Sequence, residues 1–162
     1  MAERGKVGGG CLCGAIRFEI DTFVGPFELC HCSRCRKASG SAFVAGVGVR
    51  ARHFRLLEGE SLVRRYEAEV RERPPGYSTA FCSRCGSPAP DLTHVTDEDD
   101  WFELAAGTLD EAPGVLPDQH IFVDCRADWD PIVSALPKRT KKELIAQRIA
   151  ELEEKRGRWS PS

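Results

Sequence analysis

Gly8-Gly9-Gly10-Cys11-Leu12-Cys13-Gly14-Ala15-Ile16-Arg17-Phe18-Glu19-Ile20 is the stretch from which the rest of the chain is read. In its second half Ile16, Phe18 and Ile20 alternate with Arg17 and Glu19, the period of a strand with one buried and one wet face. In its first half two cysteines stand one residue apart among glycines. Residues i and i+2 of a straight strand share a face but lie about 7 Å apart, too far for their thiols to reach one ion. The flanking glycines permit a bend that closes this gap, so the stretch predicts a chelating turn followed by a strand.

Outward from there, short apolar or alternating segments separated by glycine and proline run to about residue 131 with hardly any helical period. They predict strands over 15–20, 42–49, 54–57, 62–66, 77–81, 101–105 and 120–123, with one helical turn at 37–39. The fold class is therefore all-β. The end of the chain differs in kind. Thr140-Lys141-Lys142-Glu143 is a capping box, and Ile145, Ile149 and Leu152 then fall at i, i+4 and i+7 until Gly157. This predicts residues 1–137 as a domain and 138–162 as an amphipathic helix with a frayed tail. The helix serves either as a cap on the parent domain or as a homodimer contact.

A length of 162 residues with 41% hydrophobic content suffices for one core and excludes two large domains. Lys and Arg total 23 against 25 Asp and Glu, a formal charge of −2, which argues against nucleic acid as a partner held by bulk electrostatics. No apolar run approaches the roughly 20 residues of a membrane span, and the first residues lack the apolar stretch of a signal peptide. The expected setting is cytoplasmic, without a membrane. Charge is uneven: residues 91–130 hold twelve acids and one base, whereas 30–73 hold ten bases and five acids. Mutually attracting solvated faces explain that pattern, as does a cationic rim beside an anionic metal site.

The eight cysteines fall as Cys11-x-Cys13, Cys30-x-Cys32-x2-Cys35, Cys82-x2-Cys85 and a solitary Cys125. Their clustering, without extracellular composition, favours thiolate metal ligands over disulfides. Zinc takes four ligands tetrahedrally, and Cys82-Ser83-Arg84-Cys85-Gly86 has the form of a zinc knuckle, with Gly86 free to adopt the positive φ such a turn needs. One knuckle is half a site. Pairing it with Cys11 and Cys13 gives a closed four-thiolate structural zinc. Cys30, Cys32 and Cys35 then hold a second, three-coordinate zinc with a vacancy, the arrangement of a catalytic ion. His53, His94, His120 or Cys125 could close that vacancy, and a pairing of Cys82 and Cys85 with the triplet stays open. The chain has no phosphate loop, nucleophile elbow or H-E-x-x-H helix.

Three blocks, Gly9–Arg17, Cys30-His31-Cys32-Ser33-Arg34-Cys35-Arg36-Lys37-Ala38-Ser39-Gly40 and Phe81-Cys82-Ser83-Arg84-Cys85-Gly86-Ser87, resemble the successive signatures of the glutathione-dependent formaldehyde-activating family. Ala106-Gly107-Thr108-Leu109-Asp110, His120 to Val123 and Trp129 resemble its later blocks. The resemblance implies a β-tent zinc-binding fold of small antiparallel sheets, here with an added C-terminal α-helix. It implies structural zinc on Cys11, Cys13, Cys82 and Cys85, and a second zinc on Cys30, Cys32 and Cys35, the catalytic set. The implied activity is that of a carbon–sulfur lyase like S-(hydroxymethyl)glutathione synthase, with glutathione as co-substrate and a small-molecule thiol and aldehyde as partners. Arg34, Arg36 and Lys37 are placed to offset the thiolate charge, and Arg36 and Lys37 are the candidate substrate-binding residues. A non-catalytic zinc-binding module that engages protein or nucleic acid is the alternative.

Overall fold

The computed structural model describes residues 6–68 and 77–157. Strand β2 (Arg17–Ile20) follows the alternation read above: Phe18 and Ile20 are fully buried while Arg17 and Glu19 keep contact with water. It is the centre of a three-stranded antiparallel sheet, between β1 (Val7–Gly10) and β5 (Phe54–Glu58). A five-stranded sheet has the order β10-β9-β3-β4-β8, built from β3 (Phe27–Cys30), β4 (Val44–Arg50), β8 (Trp101–Ala105), β9 (Gln119–Ile121) and β10 (Lys138–Arg139). β6 (Val63–Ala68) and β7 (Tyr77–Cys82) form an antiparallel hairpin.

The all-β expectation holds, and the five-stranded sheet adds a detail: β9 runs parallel to β3 and β10 parallel to β9, so that sheet is mixed. Phe18 and Ile20 from one sheet and Phe27, Val47, Val49, Phe102 and Leu104 from the other form the main core. Phe54 bridges the sheets, with ring centroids 5.5 Å from Phe18 and 5.1 Å from Phe102. A smaller cluster of Cys11, Ile16 and Cys82 joins the first sheet to the β6–β7 hairpin.

Helix α1 (Ser33–Ser39) is longer than the single turn expected, because the sulfur of Cys32 caps it by accepting from the Cys35 N–H. Helix α2 (Lys141–Gly157) starts at the predicted capping box: the Thr140 N–H donates to Glu143 Oε2 at 2.8 Å, and the Glu143 N–H donates to Thr140 Oγ1. Its seated residues differ from the expected stripe. Leu144 is buried against Cys30, Cys32, Ile121 and Phe122, and Arg148 reaches the buried Glu28, whereas Ile145, Ile149 and Leu152 are about half exposed. The helix thus caps the domain by a face one residue away from the apolar stripe. The frayed tail expected after Gly157 lies outside the described residues. No described helix is long and apolar enough to cross a membrane.

Candidate metal centres and the cleft between them

The predicted bend after β1 is present. The Cys11 N–H donates to Ile16 O, the Gly14 N–H donates to Cys11 O, and Gly14 takes φ +73°. The knuckle after β7 has the same form: the Gly86 N–H donates to Cys82 O at 2.8 Å, and Gly86 takes φ +76°. A Cβ is disfavoured in this left-handed region, so glycine is the residue that lets each thiol pair converge. Ser87 ties the two turns together. Its hydroxyl oxygen accepts from the Leu12 N–H at 3.0 Å, and the same hydroxyl lies 3.3 Å from the Cys85 sulfur, to which it can donate once that sulfur is a thiolate.

The sulfurs of Cys11, Cys13, Cys82 and Cys85 lie within 4.8 Å of one another. Four sulfurs at zinc-bond length on a tetrahedron stand about 3.8 Å apart. The Cys11–Cys13 and Cys13–Cys82 separations are 3.5 and 3.9 Å, so the donor set fits a thiophilic ion of zinc's size. The Ser87 hydroxyl, then the Ser87 amide, lowers the Cys85 thiol to about 5, toward the thiolate a metal needs. All eight cysteines are described, and none forms a disulfide.

Cys30 ends β3, Cys32 caps α1 and Cys35 lies one turn into that helix, so a strand-to-helix corner gathers a second group of three sulfurs within 4.8 Å. Such crowding opposes simultaneous ionisation: Cys32 and then Cys35 push the Cys30 thiol up, while Cys30 and then Cys35 hold Cys32 down at about 2. A cation would relieve that repulsion and accept all three as thiolates. Among the described residues no fourth donor joins the group. His53 lies against Arg52 and His94 against Arg65. His120 instead meets His31, Nδ1 to Nε2 at 2.8 Å. Cys125 packs beside the group without entering it. Burial first, and then its histidine neighbour, lowers the His31 pKa; burial first, then Lys138, lowers that of His120, so both rings are neutral near pH 7.

A cleft of about 1030 Å³ separates the two groups and is lined by Cys11 on one side and Cys35 on the other. Its α1 wall consists of Cys35, Ala38 and Ser39, one face of the helix. Arg36 and Lys37 are not among its lining residues; the basic side chain that is, Arg17, is paired with Asp110. Two cleft residues escaped the sequence reading. Tyr77 lines the cleft with Cys35, and burial first, then the Cys35 and Cys32 charges, raises its phenol, so it remains a donor. Glu103 projects from β8 over Gly46, where any Cβ would lie 1.9 Å from the carboxylate oxygen. Its side chain keeps contact with solvent in the cleft, and the protein atoms around it first, then the Glu28 charge, shift its carboxyl upward. A glycine opposite a strand acid has no sequence signature. Of the uneven charge, Arg52 pairs with Asp99 and Arg65 with Asp91, so bases of the positive stretch face acids of the negative one.

A Halomonas elongata protein is 28% identical over 152 residues, covering 88% of this chain and 91% of that protein, and carries the provisional name glutathione-dependent formaldehyde-activating enzyme. A crystal structure of a Rhodobacter sphaeroides protein is 21% identical, with a TM-score of 0.48 over 82% of this chain and 99% of that one. The family described as glutathione-dependent formaldehyde-activating enzyme matches residues 6–125, which contain all eight cysteines. On that match the chain belongs to the glutathione-dependent formaldehyde-activating enzyme family.

Proposed function

We propose that the protein is a zinc-dependent carbon–sulfur lyase that makes and breaks the adduct of a small-molecule thiol, glutathione in the first instance, with formaldehyde or a similar small aldehyde. One observation carries this reading: three convergent sulfurs, with no fourth protein donor among the described residues, open through Cys35 onto a cleft large enough for a tripeptide. Cys11, Cys13, Cys82 and Cys85 hold a structural zinc, and Cys30, Cys32 and Cys35 hold the catalytic one. Bound there, zinc supplies an open position that takes a soft sulfur and lowers its pKa.

The chain's own residues do the rest. In the synthetic direction the thiol loses its proton, its sulfur forms a bond to the carbonyl carbon, and the carbonyl oxygen gains a proton. Glu103, on the cleft wall with its carboxyl shifted upward, is placed to deliver the proton that the new hydroxyl requires. Tyr77, kept protonated and sharing the cleft wall with Cys35, is available to donate to sulfur there. Arg36 and Lys37, in the last turn of α1, supply positive charge near the thiolates and attract the carboxylates of glutathione.

The test is two-dimensional exchange NMR with carbon-13 formaldehyde and glutathione, on protein of measured zinc content. Catalysed exchange between free and thiol-bound formaldehyde, lost in Cys32→Ser and reduced at least tenfold in Glu103→Gln, supports the reading. Exchange at the uncatalysed rate with two zincs bound refutes it. The half-exposed stripe of Ile145, Ile149 and Leu152 favours a second reading, a zinc module that pairs with another protein or a second copy through α2. A sedimentation shift abolished by Ile149→Glu, with no exchange activity, would establish it.

A further inference from the structure

Cys30 and Cys32 are two residues apart, so their convergence requires the chain to turn at His31. That ring is fully buried and held at both ends. Its Nδ1 lies 3.3 Å from Asp130 Oδ2, an ion-pair contact, and among the described residues neither atom has an aligned hydrogen-bond partner. Its Nε2 lies 2.8 Å from His120 Nδ1. A carboxylate only accepts, so its closeness favours the proton on Nδ1 of His31. The neutral ring then accepts at Nε2, and His120 must donate from Nδ1. Each tautomer is fixed by the one before it.

The two supports are themselves pinned. The His31 N–H donates to Ile121 O at 3.0 Å, and the His120 N–H to Pro137 O at 2.8 Å. Asp130 Oδ1 accepts from the Ile132 N–H at 3.4 Å. Ile132 is buried and takes φ +42°, a region that β-branched residues rarely occupy and that persists only where the surroundings impose it. The turn carrying Asp130 is thus held in a costly conformation that keeps its carboxylate against His31.

We propose that Asp130, His31 and His120 form a buried polar chain, an ion-pair contact followed by a hydrogen bond, that clamps the corner between Cys30 and Cys32 and makes Asp130 and His120 positioning residues for the triplet's metal. This rests on the triplet as a metal site, part of the function proposed above, and is independent of the lyase activity. Groups that orient metal ligands from behind typically contribute about 10–100-fold to affinity.

The test measures affinity for zinc alone, by chelator competition on the full chain, in His120→Leu, Asp130→Ala, His120→Asn and Asp130→Asn. Asparagine retains a donor where Nδ1 of His120 lies, and an acceptor where Asp130 ends. The first two variants should release the weaker zinc at least tenfold more readily, with the tighter zinc unchanged. The two asparagine variants should stay within about threefold of the parent. Cobalt in the triplet should show altered ligand-field bands in the first pair only. Imidazole nitrogen NMR of the zinc-loaded parent should find His120 protonated at Nδ1. That measurement needs no variant, so it decides the matter if His120→Leu fails to fold. Full second-site affinity in His120→Leu, or His120 protonated at Nε2, overturns the clamp alone. A parent that binds a single zinc overturns the triplet as a metal site, and the clamp with it.

Discussion

Replacing Arg148 with methionine tests whether α2 is fastened to the sheet behind the triplet. Glu28 is 5% exposed in β3, two residues before Cys30. One of its oxygens accepts from Gln119 Nε2 at 2.8 Å and the other from Arg148 Nη2 at 2.9 Å. The methionine keeps the stem of Arg148 and removes the second donor. Breaking a fully buried pair costs about 3–5 kcal/mol, and a hydrogen bond to a charged group contributes about 1.5–3 kcal/mol. The Arg148 side chain is 51% exposed, so water can replace part of what is lost, and the cost falls near 2 kcal/mol. For a chain of this size that is a fall of about 4–8 °C in the unfolding midpoint. The assay is thermal and urea unfolding of zinc-loaded protein, with Glu28→Gln made alone and in combination. Neutralising Glu28 removes the stranded charge, so the double variant should recover at least half of the loss. A change under about 0.5 kcal/mol in Arg148→Met, or strict additivity of the two substitutions, would refute the argument.

Leu144→Ala, at the other anchor of the same helix, should cost about 2–4 kcal/mol by unfolding, because the side chain is buried against Cys30, Cys32, Ile121 and Phe122. Cys82→Ser should bind at most one zinc and lose the cooperative unfolding transition, whereas Cys32→Ser should stay folded with one tightly held zinc; zinc analysis and circular dichroism separate the two. Asp91 gives the acid limb of stability. Burial alone would raise its carboxyl, but bonds from Thr93, Ser78 and Arg65 outweigh that and hold it below the ordinary range. A depressed folded pKa means stability that is present above about pH 4 and lost as pH falls through the folded value. Asp91→Asn should therefore flatten unfolding midpoints measured below pH 4 and leave their slope between pH 6 and 8 unchanged.

Much of this was legible in the residues. The alternation of Ile16, Phe18 and Ile20 is a local signal, and each of the three is buried as that signal requires. The capping box at Thr140 and the positive φ of Gly86 are likewise properties of a few neighbouring residues. What escaped depends on contacts between distant segments. β1, as Val7-Gly8-Gly9-Gly10, has no alternation to read; a Cβ on Gly9 would strike the Phe18 ring, so close packing on β2 selects a residue without one. β9 overlaps the strand read over 120–123, but its parallel pairing on β3, far away in sequence, and the pairing of the two-residue β10 on β9 leave no local signal. The stripe of Ile145, Ile149 and Leu152 indicated a helix but misidentified its seated face, because Leu144 and the Arg148–Glu28 pair decide that face instead. Glu103 and the Asp130–His31–His120 chain are likewise products of strand register and turn packing.

The most direct measurement is a crystal structure of zinc-loaded protein with anomalous scattering recorded across the zinc edge. Two peaks are predicted. One should lie about 2.3 Å from the sulfurs of Cys11, Cys13, Cys82 and Cys85, and the other at the same distance from Cys30, Cys32 and Cys35, with a solvent or thiol ligand completing it from the cleft. A single peak, or a fourth protein side chain closing the triplet, would contradict the account.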